Sequence, residues 1–394
     1  MLPLLLILPL IAAAPAASQH QPFPVHDSRP AITHGPYLLA PTETSVTVVW
    51  VTDTPAHSKV LYGKNGQLDQ VAEPQHHGLR PVGTIHSVRI DGLEPGARYQ
   101  YRAVSTQVVK MKSYWPEKGL DVESPLYSFT PLDRRSNSTV FYAITDTHAN
   151  LDRIAGLMEL VDWNEAEFLV HLGDAFDADS AEVIWTRALD PLARALSHSK
   201  PLYWVRGNHD ARGAAARELV HHVPLPEGRY YYARDHGPAH LLFLDTGEDK
   251  PDETNVYSRL NAFDEYRQEE LAWLRRHVAT SHALASAPFR ILFLHAPNWG
   301  WTNGCQQEWE DTARAARIDL SLSGHTHRFN YTPPADPATG RHRLVLAPDQ
   351  AARIEMTPER LKITVLGPKK QKIVEFEVPR RPLQPTSSPG SLIQ

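Results

Sequence analysis

A single cysteine, Cys305, stands in the 394 residues, so no intramolecular disulfide can form and no multi-cysteine metal cluster is available. Excess positive charge is missing too. Forty Lys and Arg against 45 Asp and Glu leave a formal net charge of −5, which argues against a nucleic-acid-binding surface. After the first dozen residues there is no apolar run near the roughly 20 residues that a membrane span needs. No internal repeat is visible, and 33 prolines break the chain into short, non-repetitive elements.

What remains is an ordinary globular composition with enough chain for about two domains. Met1–Ile11 is apolar and is followed by small residues through Ala16, Ala17 and Ser18. This pattern reads as a signal peptide over residues 1–18, cleaved near Ala17 or Ser18, although no Lys or Arg precedes the apolar core. The mature protein is therefore expected to be secreted or periplasmic, with no transmembrane segment. Residues 379–394, rich in Pro and Ser, read as a disordered tail.

Residues 31–131 have an all-β texture. In Ser45–Thr52, Val46, Val48 and Trp50 share one face, and further strands are expected near 58–62, 85–90 and 98–103. Turn signals lie at Asn65-Gly66 and Pro95-Gly96. The segment Val104–Leu126 reads as a long loop, either functional or mobile. A Trp on an early strand, and Tyr99 after Leu93-Glu94-Pro95-Gly96, resemble a fibronectin type III sandwich with its tyrosine corner. After a polar linker at 132–138, residues 139–378 alternate strand and helix patterns, which marks an α/β layer architecture. Helical spacing is clearest from Gln268 to Val278, where Leu271, Leu274 and Val278 share a face. The region from Leu344 to Val378 is β-rich again.

The chemistry gathers at the ends of the apolar runs. Asp146-Thr147-His148 follows Val140–Ile144, and Gly173-Asp174 follows Phe168–Leu172. Gly207-Asn208-His209-Asp210 follows Leu202–Val205, His295 follows Ile291–Leu294, and Gly324-His325-Thr326-His327 follows Ile318–Leu322. Ligands in open α/β sheets sit beyond the carboxyl ends of strands. Imidazole, carboxylate and amide donors gathered there are potential metal ligands.

The ordered set D-x-H, G-D, G-N-H-D, H, G-H-x-H resembles the calcineurin-like metallophosphoesterases over about residues 140–329. The resemblance implies an α/β fold, a two-sheet sandwich flanked by helices, here preceded by the fibronectin type III-like domain. It also implies roles. Asp146, His148 and His327 hold one ion, Asn208, His295 and His325 hold the other, and Asp174 bridges them. A metal-bridging hydroxide attacks phosphorus, and His209 serves the leaving group. Asp177, three residues after the bridge, stands where the related serine/threonine phosphatases orient that histidine. In purple acid phosphatases, which share the N-terminal domain plan, the same position is an iron-bound tyrosinate, so no purple colour is expected here.

Arg212 is a candidate phosphate ligand by its fork geometry. His221-His222 and the aromatic pair Trp299 and Trp301 are weaker candidates for the rim of the site. The resulting expectation is an exported phosphomonoesterase using two ions of Fe, Mn or Zn. A phosphodiesterase or pyrophosphatase using the same site is the alternative, and an inactive binding protein is the rival from another class.

Overall fold

The computed structural model describes residues 25–299, 305–337 and 340–381. Its first seven strands build an all-β region: β1 (Ile32–Leu39), β2 (Val46–Gly63), β3 (Gln70–Ala72), β4 (Gly83–Ile90), β5 (Tyr99–Lys110), β6 (Glu117–Glu123) and β7 (Tyr127–Phe129). The alternating segment 45–52 and the expected strand at 58–62 are one strand, β2, which pairs with β1 and β4 near its start and with β3 and β5 near its end. Residues 104–126 do not form a long loop. β5 runs on to Lys110 and returns as β6, making an extended hairpin arm. The Tyr99 hydroxyl accepts the Glu94 backbone N–H at 3.1 Å, closing the corner before β5.

The α/β region then alternates β8 (Thr139–Ile144), β9 (Ala166–His171) and β10 (Leu202–Trp204) with helical connections, of which Leu151–Leu160 is the longest α-helix. A second group follows: β11 (Tyr232–His236), β12 (Ala239–Phe243), β13 (Phe289–Phe293), β14 (Leu320–Ser323), β15 (Asn330–Thr332) and β16 (His342–Val345). β17 (Ala351–Met356), β18 (Arg360–Gly367) and β19 (Gln371–Pro379) complete the chain. Among the described residues, two sheets result. One has the backbone order β19-β18-β17-β8-β9-β10-β1-β2-β5-β6, and the other β11-β12-β13-β14-β16-β15. β8, β9 and β10 are mutually parallel, as are β12, β13, β14 and β16.

β1 joins the all-β region to the α/β region within one sheet, through a parallel bridge between Leu39 and Leu202. Gly35 and Pro36 interrupt its sequence, so no strand pattern is visible there. Polar contacts add to this junction: His34 Nδ1 lies 2.8 Å from Asp190 Oδ2, and the Tyr101 hydroxyl donates to the His198 carbonyl at 2.7 Å.

Between the two sheets, five aromatic rings form a closed circuit. Phe141 stacks on Phe168, Phe168 meets Tyr203, Tyr203 stacks on Phe243, Phe243 on Phe293, and Phe293 returns to Phe141, with centroids 4.8–5.8 Å apart. Each such pair contributes about 0.5–1.5 kcal/mol beyond area burial. Four of these residues lie two to six positions before a residue of the metal motifs, so the circuit stiffens the strand ends beneath them.

The all-β region buries a polar chain whose donors all run one way. Trp50 Nε1 donates to Ser105, Ser105 to Ser58, and Ser58 to His86 Nδ1. His86 Nε2 then donates to Thr52, whose hydroxyl donates to the Thr54 carbonyl. This order requires a neutral His86, and burial lowers its pKa to about 4. The unfolded chain therefore binds more protons between about pH 6.5 and 4. The stabilisation is complete above 6.5 and is lost as pH falls through that window, by roughly 3 kcal/mol in all. Denaturant unfolding at pH 7 and pH 4.5 should show this loss, and His86→Gln should flatten it.

Candidate metal centre

Every strand end named by the motifs converges on one rim. β8, β9 and β10 deliver Asp146 with His148, Asp174, and Asn208 with His209. β13 and β14 deliver His295, and His325 with His327. The turns are tight. Asp146, His148, Asp174, His325 and His327 all have φ between 46° and 69°, a left-handed conformation that costs a non-glycine residue about 1 kcal/mol or more. Five strained residues on one rim mark a geometry held for its chemistry. The glycines beside them serve close approach. A Cβ on Gly207 would collide with the Asp174 backbone and carboxylate, and one on Gly324 with Thr145 and Asp146.

The donor atoms fall into compact sets, each with its members within 4.8 Å of one another: Asp146, His148 and His327; His148, Asp174 and His209; Asp174, His295 and His325. His148 Nε2 is 3.0 Å from His327 Nε2, and Asp146 Oδ1 is 3.2 Å from His327 Nε2. Asp174 Oδ2 lies 3.1 Å from His295 Nε2 and 3.9 Å from His148 Nε2, which sets it between the two outer groups. Asn208 Oδ1 is 3.0 Å from His325 Nδ1.

Two observations test whether cations belong here. Asp146 Oδ1 and His295 Nε2 are buried without a hydrogen-bond partner. His295 Nδ1 donates to the Leu172 carbonyl at 2.8 Å, so neutral His295 turns a lone pair toward a carboxylate. Two facing acceptors in a buried site need a cation between them. In a cation's place a proton is favoured: burial opposes the charged form, yet Asp174 raises His295 to about 9. Burial likewise disfavours the Asp174 anion, but His295 and the His209 amide hold its carboxyl below the usual range. The residues fit a two-metal centre with nitrogen and oxygen donors.

Several groups support the ligands in ways the sequence does not announce. Asp210 accepts the backbone N–H groups of Ala175, Phe176 and Gly207, tying the loops after β9 and β10 together. Burial first, and then the Asp174 charge, push its carboxyl up to about 7. His171 accepts the Gly173 N–H at Nδ1 and faces the Thr147 hydroxyl at Nε2, while burial lowers its pKa to about 3 and keeps it neutral. The Arg153 guanidinium donates to the Asp146 carbonyl.

His209 sits beside this cluster, its Nε2 4.0 Å from Asp174 Oδ2 and its Nδ1 2.8 Å from Asp177 Oδ1. Arg212 lies in a carboxylate clamp: Nε and Nη2 meet the two oxygens of buried Glu248 at 2.8 and 2.7 Å, and Nη2 also reaches Asp249. Its Nη1 is 3.0 Å from His209 Nε2. A guanidinium cannot accept a hydrogen bond, so His209 accepts there and donates from Nδ1 to Asp177. His222 instead packs between the two regions, accepting the Trp185 indole N–H. Trp299 is buried on Trp309 as a packed wall. Trp301 lies outside the described residues.

Comparison with known proteins agrees with this geometry. Residues 139–329 match the family model of calcineurin-like phosphoesterases, and residues 36–131 match that of the purple acid phosphatase N-terminal domain. Acid phosphatase type 7 of Mus musculus is 26% identical over 307 residues, covering 73% of this chain and 63% of the mouse protein. Purple acid phosphatase 23 of Arabidopsis thaliana is 23% identical over 297 residues, covering 63% of this chain and 57% of the plant protein. The chain thus spans about three fifths of the length of either relative. Among solved structures, purple acid phosphatase PPD1 from yellow lupin (Lupinus luteus) seeds aligns with a TM-score of 0.64 at 15% identity, covering 88% of this chain and 74% of that one. PhoD aligns at 0.55 and 13% identity, covering 90% and 94%. At these identities the structural likeness bears on the fold alone.

Proposed function

We propose that this chain, whose residues 139–329 match the calcineurin-like phosphoesterases and residues 36–131 the purple acid phosphatase N-terminal domain, hydrolyses phosphate monoesters outside the cytoplasm, with two ions of Fe, Mn or Zn. The observation that carries this reading is the seven-residue donor set around Asp174 with the His209–Asp177 pair at its edge. Bound ions supply Lewis acidity toward phosphoryl oxygens and lower the pKa of water.

The chain's own residues do the rest. Asp146, His148 and His327 form one half of the cradle, Asn208, His295 and His325 the other, and Asp174 serves both. The buried carboxylates form the floor, while His327, half exposed, opens the rim to substrate. Asp177 fixes the ring of His209 through Nδ1–H, and Nε2, once Arg212 has left it and it has taken up a proton, donates to the departing alkoxide oxygen. Arg212, anchored on Glu248, keeps Nη1 on the site side, where it meets a phosphoryl oxygen once it leaves His209. Glu248→Gln should therefore raise KM by about tenfold with a smaller change in kcat, read by steady-state kinetics.

A phosphodiesterase or pyrophosphatase reading draws on the same donor set. One assay separates the readings: hydrolysis of a generic phosphomonoester and a generic bis-ester by one sample, with metal content measured alongside. The proposal expects two ions per chain and faster monoester turnover. Equal or faster bis-ester cleavage would reassign the substrate class, and no metal uptake after reconstitution would sink the reading.

A further inference from the structure

The β5–β6 hairpin ends in a tip, Met111–Pro116, that projects past the last paired residues, Lys110 and Glu117. It exposes apolar side chains that a soluble surface ordinarily keeps inside: Met111 is 64% exposed, Tyr114 83% and Trp115 52%, with Val109 beside them. Trp115 has φ 59°, an unusual conformation for a bulky residue. On a chain of net charge −5, residues 109–118 carry Lys110, Lys112 and Lys118 against Glu117 alone.

The chain enters the fold beside this tip. Val25 bridges Lys118, the His26 N–H donates to the Lys118 carbonyl at 2.7 Å, and the Leu120 N–H donates to the Ser28 carbonyl at 2.6 Å. The N-terminal segment thus enters the fold along β6, next to the tip, with Val25 itself exposed. The eight steps of chain from Ala17 to Val25 reach roughly 28 Å at most. Until its expected cleavage, the apolar stretch ahead of Ala17 therefore joins the chain at the end of the molecule where the aromatic tip protrudes.

We propose that this tip is a membrane-contact site whose partner is an anionic phospholipid bilayer. Tyr and Trp favour the headgroup level, where an apolar ring and a polar edge are both satisfied. Met111 and Val109 add apolar area, and the lysines match the negative surface. A convex tip with these residues fits a soft bilayer better than it fits a glycan, which needs a platform with polar side chains around it. The contact is independent of the phosphoesterase reading, since no tip residue belongs to the metal centre.

The test uses the full chain and vesicles of phosphatidylcholine with phosphatidylglycerol, or of phosphatidylcholine alone. Brominated phosphatidylcholine reads how deeply the tip enters, so binding through the N-terminal stretch alone does not pass. Wild-type tryptophan fluorescence should be quenched on anionic vesicles, less so at high salt, and Trp115→Phe should remove that component. Tyr114→Ser with Trp115→Ser should weaken partitioning, at low salt, by about tenfold or more. Unchanged ester hydrolysis in both variants is the control for folding. Quenching that is equal in wild type and Trp115→Phe overturns the proposal. So does a dimer, seen by sedimentation velocity without vesicle binding, that the double variant abolishes, because the tip's partner would then be a second copy.

Discussion

Asp174→Ala is expected to bind neither ion firmly and to lose phosphoester turnover on the order of 10³-fold or more, about 4 kcal/mol in the barrier. Among the described residues, Asp174 is the one carboxylate within reach of both donor groups, through His148 on one side and His295 on the other. Without it, two cations would face each other across a rim that is otherwise mostly neutral imidazole, with Asp146 serving one side only. The fold should survive. Asp174 gives up one backbone contact, from the His209 N–H, while the loops keep their ties through Asp210. Metal analysis after gel filtration, with circular dichroism as the folding control, decides the matter. Two ions retained at wild-type affinity would refute the bridging role, whatever the activity does.

Much of this site could be read from the chain because its chemistry is local. Each donor comes within a few residues of an apolar run, and the end of a buried parallel strand is where a ligand-bearing turn belongs. The supports are harder to see, because most of them tie together residues far apart in sequence. Glu248 lies 36 residues beyond Arg212 and reads as an ordinary loop carboxylate. Asp210 reads as a turn residue after Asn208-His209, yet its oxygens organise two loops. Helix Phe263–Thr280 shows the same limit. Leu271 and Leu274 follow the apolar spacing, but the buried face also holds Arg267 and Glu270. Arg267 binds the carbonyls of Thr246 and Glu248, and Glu270 accepts the Asp245 N–H, so these charges fasten the loop that carries the Arg212 clamp. Hydrophobic periodicity has no means of announcing a buried charge whose partner is another loop's backbone. β1 escaped for a different reason. Its pairing with β10 is a single long-range bridge, and Gly35-Pro36 masks the local pattern.

His209→Ala should separate binding from chemistry. The side chain lies beside His148 and Asp174 but is not among the seven proposed ligands, and its Nε2 is 4.0 Å from Asp174 Oδ2. The variant should therefore keep both ions while kcat falls by about 10²–10⁴-fold, the range for loss of a positioned proton donor. The size of the fall should depend on the leaving group. An aryl phosphate with an acidic phenol needs little protonation as it departs and should lose least. An alkyl phosphate, whose alkoxide is strongly basic, should lose most. Asp177→Asn gives the companion result. The ring stays hydrogen-bonded but loses the carboxylate that fixes its Nδ1–H, so a smaller loss with the same leaving-group trend is expected. A uniform loss across leaving groups would assign His209 to binding or metal placement instead. An unchanged rate would remove it from the mechanism, and with it the reason for an aspartate at position 177.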